Sequence, residues 1–462
     1  MLQGSDVREV FESVLPESAL ASMVEETGFQ KRERKLDAIG FLRAMIIAAA
    51  SGQGGRQAAV ARLYFENAPE RMVRGAFYRW FGRALARVMK RVSRLALAYV
   101  ASLEVDLPGW LAKYGRDWHI VDSSTVKLDG SLMHLYRGTG KYAALKIHKR
   151  FSVGIGTTID YHISPARHHD ARHLVLDESW RGLGLLVDLG YASLKLLRDA
   201  KRFDVHYVLR LKDSWKPKVD RLHSGALTRT FCKGTDLDLL LDAEMLRLDG
   251  TTIDADVTVG TGAAAAHCRM VGVEHDGMYR FYLTNLPRDV RPEQIVDLYR
   301  VRWEIESDNK LDKSCLQLDR IGARTGPAVR ALVHASMVGS ILVNLLAHHH
   351  RRREGHAPRP GTERTKAPVH PQALGRMMAQ CSMSIVAIMQ MPASAEADER
   401  WQWLAETLYH QGQDPNWRRS PSVLDQLRGW RTTPGTPRKS KAASIKHPAP
   451  RNPSKSRRIV AK

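Results

Sequence analysis

Cysteine is scarce in this chain. Its four thiols, Cys232, Cys268, Cys315 and Cys381, lie far apart with no CxxC pair, which excludes a zinc ribbon and a disulfide framework and points to a reduced intracellular setting. Long hydrophobic runs are lacking too. The most apolar stretch, Ala331 to Ala347, is interrupted by His334, Ser336, Ser340 and Asn344, so it reads as a buried helix rather than a membrane span of about 20 residues. The start, Met1-Leu2-Gln3-Gly4-Ser5-Asp6, has no basic segment followed by an apolar one, and no secretory signal is read there. The expected location is the cytoplasm, with no membrane partner. Acid is the other deficit: 49 Asp and Glu stand against 71 Lys and Arg, a formal charge of +22 over 462 residues. A surplus of that size favours a polyanionic partner, whose counterions clustered cations release.

At 44% hydrophobic and 26% charged, the chain is ordinary globular material with room for several domains. Ten of the cations fall between Arg431 and Lys462, among five prolines and no acid. That composition predicts a disordered basic tail over 431–462. The remainder keeps 61 − 49 = +12. Apolar residues at three- and four-residue spacing, as in Val7-Val10-Phe11-Val14 and Phe41-Met45-Ile46, predict a helical N-terminal domain over 1–112. From Trp118 the period becomes two. Strands are predicted at 120–122, 146–148, 156–163, 184–188 and 205–211, with helices at 171–180 and 194–200, an α/β order with a mixed sheet. Alternation of Ile253, Ala255, Val257 and Val259 with Thr252, Asp254, Asp256 and Thr258 marks 213–285 as a β-rich insertion. The α/β domain then spans 113–212 and 286–347, with a long helix from Pro292 to Leu318 and another from Gly326 to Ala347. A linker over 348–371 and a C-terminal helical region over 372–430 complete the division.

Position selects among the acids. Asp122 interrupts the apolar strand Ile120-Val121-Asp122-Ser123-Ser124, and Asp188 ends the strand Leu185-Leu186-Val187 just before Gly190. Carboxylates inside or at the end of buried strands need compensation, and carboxyl ends of strands are where open α/β sheets place ligands. On a helical wheel with Tyr299 at zero, Arg302 falls at about 300°, Glu306 at about 340°, Lys313 at about 320° and Lys310 at about 20°, whereas Glu304, Asp308 and Asp312 fall at about 140°, 180° and 220°. Glu306 therefore shares a narrow face with an aromatic ring and three cations. Taken alone, that face could be a solvated ion pair worth a few tenths of a kcal/mol. Together, three such acids suit hard divalent ions, and a two-ion site can cut phosphodiesters while Arg302 and Lys313 hold phosphate.

These residues resemble the DDE transposases of the insertion-sequence-4 group. The likeness rests on Ile120-Val121-Asp122-Ser123-Ser124-Thr125-Val126, Val187-Asp188-Leu189-Gly190-Tyr191, Val208-Leu209-Arg210-Leu211-Lys212 and Tyr282-Leu283-Thr284-Asn285-Leu286. To these it adds the Tyr-x2-Arg-x3-Glu-x6-Lys signature, met by Tyr299, Arg302, Glu306 and Lys313. The resemblance implies an RNase H-like catalytic fold interrupted by the β-rich insertion. It implies Asp122, Asp188 and Glu306 as catalytic metal ligands, with Tyr299, Arg302 and Lys313 on DNA phosphates; Lys310, on the same helix face, is a further expected phosphate contact. The helical domain over 1–112 is then the expected reader of transposon ends, and the cytoplasmic location becomes one in association with the nucleoid. Two Mg²⁺ ions (Mn²⁺ substituting), double-stranded transposon-end and target DNA, and a homodimer in the synaptic complex are implied as well. Leu189 departs from the group, whose members often carry a basic residue there. A nuclease that cuts without joining and a decayed DNA-binding derivative are the alternatives.

Other clusters carry weaker expectations. Lys146, Lys149, Arg150, Arg210 and Lys212 are possible DNA contacts. His148, His162, His168, His169 and His173 straddle different predicted elements without a cysteine, and a zinc site is not expected there. Asp236, Asp238 and Asp242 lack the Gly and Glu of a calcium loop. Trp215 could stack on an unpaired base, but a core or surface tryptophan is the plainer reading.

Overall fold

A computed structural model describes residues 3–30, 35–53, 56–68, 70, 72–223, 235–236, 252–275, 278–353, 367–417, 419 and 422–428. The basic tail, Asp238, Asp242 and most of the 348–371 linker lie outside these residues.

One sheet organises the chain. Its ten strands run in the order β3-β2-β1-β4-β5-β10-β9-β8-β6-β7, where β1 is Trp118–Lys127, β2 Ala144–Ser152, β3 Thr157–Pro165, β4 Gly184–Val187, β5 His206–Arg210, β6 Lys218–Leu222, β7 Thr235–Asp236, β8 Ile253–Val259, β9 Ala266–His275 and β10 Met278–Thr284. The first half is RNase H-like: β1, β2 and β3 form an antiparallel meander, and β4 and β5 join β1 in parallel. The strands of the 213–285 segment continue the same sheet, because β10 pairs antiparallel with β5. Ile253, Ala255, Val257 and Val259 are each buried on one face, as their alternation predicts.

Helices cover the sheet. The first six, α1 (Gly4–Val14), α2 (Glu17–Glu26), α3 (Ala38–Ala48), α4 (Gln57–Asn67), α5 (Arg74–Tyr78) and α6 (Arg83–Ala101), precede β1, and α7 (Leu194–Arg202) links β4 to β5. Asp37 caps α3 by accepting from the backbone N–H groups of Ile39 and Gly40, satisfying donors a helix start leaves open. Helix α6 buries Leu85, Val88, Met89, Val92, Ala96 and Val100, a stripe at helical spacing. Four of the helices after β10 are α8 (Pro292–Arg300), α9 (Trp303–Lys310), α10 (Gly326–Arg353) and α11 (Pro371–Met389), followed by α12 (Ala395–Gln411). Among the described residues α10 alone is long and apolar enough to cross a membrane, and 94% of its apolar window is buried inside the protein. Helices from both ends of the chain surround it, so α1–α6, α10, α11 and α12 share one hydrophobic core.

Two expected helices differ. Residues 171–180 form only short 3₁₀ turns, Asp170–His173 and Glu178–Trp180, because Leu176 and Trp180 reach the sheet core from an extended segment. The expected helix over 292–318 is broken. Arg302 N–H donates to the Tyr299 carbonyl and Glu304 N–H to that of Val301, a 3₁₀-like tightening between α8 and α9. Beyond Lys310 the chain widens into a π-turn, Leu311–Cys315. Packing fixes that turn: Gly52, at φ 71°, passes so close that a Cβ there would stand 2.4 Å from the Cys315 carbonyl oxygen.

Candidate active site

The register of β1 against β4 sets two acids side by side. Ile120 pairs with Leu186 and Val121 with Val187 in parallel. Strand alternation then puts the next residue of each chain, Asp122 and Asp188, on the face shared by Ile120 and Leu186. That face is covered by α8 and α9, whose Leu298 and Ile305 join the same core cluster.

Helix α9 brings Glu306 to this face. Arg302 Nη2 donates to Glu306 Oε1 at 2.6 Å, and the guanidinium lies 5.8 Å from the centre of the Tyr299 ring. That ring packs 5.0 Å from Tyr282 of β10. Burial works against the charge of Arg302, but Tyr299, Glu306 and Asp188 outweigh it and raise its pKa. Burial raises the pKa of Tyr299 as well. Lys310 is exposed and Lys313, inside the π-turn, half-buried.

The Asp122 carboxyl lies above the ordinary carboxylate range. Burial is the main cause; the Ser123 backbone N–H and Arg302 oppose it, and the negative charges of Asp188 and Glu306 reinforce it. Hard oxygen donors converging from two strands and a helix fit a divalent cation such as Mg²⁺. Among the described residues no three such groups stand close enough to share an ion.

Several cations differ from their expected place. Lys149 is a correction: it is 1% exposed and cannot reach DNA. Its Nζ lies 2.7 Å from Asp308 Oδ2 and also pairs with Asp312, while Asn344 Nδ2 donates to Asp308 Oδ1 at 2.7 Å. Lys149 is the register partner of Asp122, so this buried cluster pins the glutamate's helix to the strand beside the aspartate. On the wheel Asp308 and Asp312 fall about 160° and 120° from Glu306, and an i,i+4 acid pair off its face was the available signal. Arg150 stacks 4.0 Å over Trp180 and donates from Nε to His119 Nδ1. Lys146 pairs with Asp170 at 2.8 Å, which also accepts from Ser123 Oγ. Lys212 donates to the Ala192 carbonyl and stands 5.5 Å from the Trp215 ring. Arg210 is exposed.

The histidines do gather, from three elements. The His173 ring lies 4.0 Å from that of His148, 5.1 Å from His162 and 5.9 Å from His168. The rings stack, with interplanar angles of 28°, 27° and 11°. Burial, then the neighbouring His173, lowers the pKa of His148 to about 4. His169 stays outside the stack and caps the turn at Ala171.

Residues 114–342 match the family described as transposase DDE domain. The transposase for insertion sequence element IS421 of Escherichia coli is 38% identical over 63 residues, 13% of this chain and 17% of the relative. The chain thus spans about a sixth of that relative's length. The transposase for insertion sequence element IS231C of Bacillus thuringiensis subsp. berliner is 23% identical over 357 residues, 67% of this chain and 73% of the relative. A chain of the piggyBac transposase synaptic complex with hairpin DNA aligns over 91% of both chains at 10% identity, with a TM-score of 0.45.

Proposed function

The chain belongs to the DDE transposases of insertion sequences, and from that membership we propose that it cleaves double-stranded DNA at transposon ends and joins the freed ends to target DNA, with Asp122, Asp188 and Glu306 as the residues that hold two Mg²⁺ ions. The observation that carries the reading is the position of Asp122 and Asp188, each one residue beyond the paired Val121 and Val187 of adjacent parallel strands, where the charges of Asp188 and Glu306 both bear on Asp122. A bound ion pair supplies Lewis-acid charge and an activated oxygen for phosphodiester cleavage. Asp122, in β1, and Asp188, just past β4, would give carboxylate oxygens from a rigid sheet, and Glu306 would give the third carboxylate. The Arg302 guanidinium, which donates to Glu306, would hold a DNA phosphate bidentately, beside the Tyr299 ring, with Lys310 and Lys313 as further point charges. Arg210 is the exposed cation of β5 available to the DNA backbone. Two copies of the chain would act together in a synaptic complex holding two ends.

The test is Mg²⁺-dependent cleavage of the cognate ends by Asp122→Ala, Asp188→Ala and Glu306→Ala. Each is expected to abolish cutting while leaving end binding intact; cutting retained by any one overturns its assignment. Supplying precut ends and a supercoiled target separates a transposase from a nuclease, because only the former yields joined products.

A further inference from the structure

Asn309 touches the proposed centre and has no assigned role. Its Nδ2 donates to Asp122 Oδ2 at 3.0 Å. Its Oδ1 is buried and has no hydrogen-bond partner. Three residues beyond Glu306 on α9, Asn309 lies on the same helix face, at about 280° on the wheel that places Glu306 at about 340°. We propose that Asn309 belongs to the same ligand set as Asp122, Asp188 and Glu306: it anchors one oxygen of Asp122 and lends its own amide oxygen to the divalent cation held there.

The chemistry favours an amide at this position. A buried acceptor without a donor is costly, and a hard cation is a partner that takes amide carbonyl oxygens as readily as it takes carboxylates. A fourth carboxylate would add to the repulsion already felt by Asp122 from Asp188 and Glu306, and it could not donate to Asp122 when ionised. An amide does both tasks without charge. Fixing one oxygen of Asp122 leaves the other lone pairs of that carboxylate free for ligation and removes a rotational freedom that binding would otherwise have to freeze.

This inference rests on the metal reading of Asp122 and Asp188, and the experiment keeps the two apart. Mn²⁺ binding to the full chain, without DNA, is measured by titration calorimetry and by the electron paramagnetic resonance signal of free Mn²⁺. Asn309→Ala and the near-isosteric Asn309→Leu are each expected to weaken binding roughly tenfold or more, with unchanged circular dichroism in the metal-free state. Affinity within about twofold of the parent in a folded Asn309 variant, while Asp122→Ala loses binding, overturns the role of Asn309 and leaves the triad standing. If Asp122→Ala and Asp188→Ala both bind as the parent does, the metal reading itself fails, and Asn309 falls with it.

Discussion

Lys149 Nζ lies 2.7 Å from Asp308 Oδ2 with neither side chain reaching solvent. Burial works against the lysine's charge, but Asp308 and Asp312 outweigh it and raise its pKa. Burial raises that of Asp312, which Lys149 opposes and Asp308 reinforces. Removing one partner of such a cluster strands the others. Lys149→Met is therefore expected to destabilise the protein by about 3–5 kcal/mol, read from the urea midpoint. Adding Asp308→Asn and Asp312→Asn should recover much of that loss, whereas a deficit unchanged in the triple variant would show that packing, not stranded charge, sets the cost.

Arg302 is expected to matter more as a fork than as a charge. Arg302→Lys keeps the charge but loses bidentate contact, and Arg302→Ala loses both. End cleavage should fall by about a hundredfold or more in the alanine variant, by analogy with loss of a single transition-state donor, and the lysine variant should recover only a small part. Single-turnover cleavage rates check this, and full activity in the lysine variant would reduce Arg302 to a point charge.

Asp122 must be ionised to hold a cation, and its pKa is raised. Mn²⁺ binding should accordingly weaken, as pH falls, at pH values above the ordinary carboxylate range. Glu306→Gln removes one repelling charge and should move that acid limb to lower pH. Calorimetric titrations at stepped pH read the shift, and an unmoved limb would show that the two carboxyls do not interact.

Buried imidazoles make the fold acid-sensitive. Burial lowers His148 and His334 to about 4 and His348 to about 3, from 6.5. Below pH 6.5 the unfolded chain therefore binds protons that the folded chain refuses, so stability is full above that pH and is lost progressively as pH falls toward 4. Urea midpoints between pH 7 and 4.5 should drop, and His334→Phe should flatten the slope. A slope identical to that of the parent would remove His334 from the account.

Much of the architecture is legible in the residues because it is local. The alternation of Ile253, Ala255, Val257 and Val259 encodes a half-buried strand before any partner is known. Tyr299, Arg302 and Glu306 meet through three- and four-residue spacing alone, which survives the tightened turn between α8 and α9. An aspartate in an apolar strand, Asp122, likewise announces an unusual site.

What the residues by themselves determined are periodicities and the faces those periodicities create: the strand that carries Asp122, the strand that ends at Asp188, the helix face of Glu306, and the surplus of cations. Only the tertiary structure decided which faces meet. It set Asp122 beside Asp188 through the register of β1 and β4, and drew Lys149 out of an apparently solvated basic stretch to neutralise two acids of a distant helix. It also broke the 292–318 helix between α8 and α9, brought Gly52 against the π-turn at Cys315, stacked histidines from three elements, and carried the sheet on through β10. The physical reason is the same throughout: burial and charge compensation depend on partners far away along the chain, and a local pattern holds no record of them.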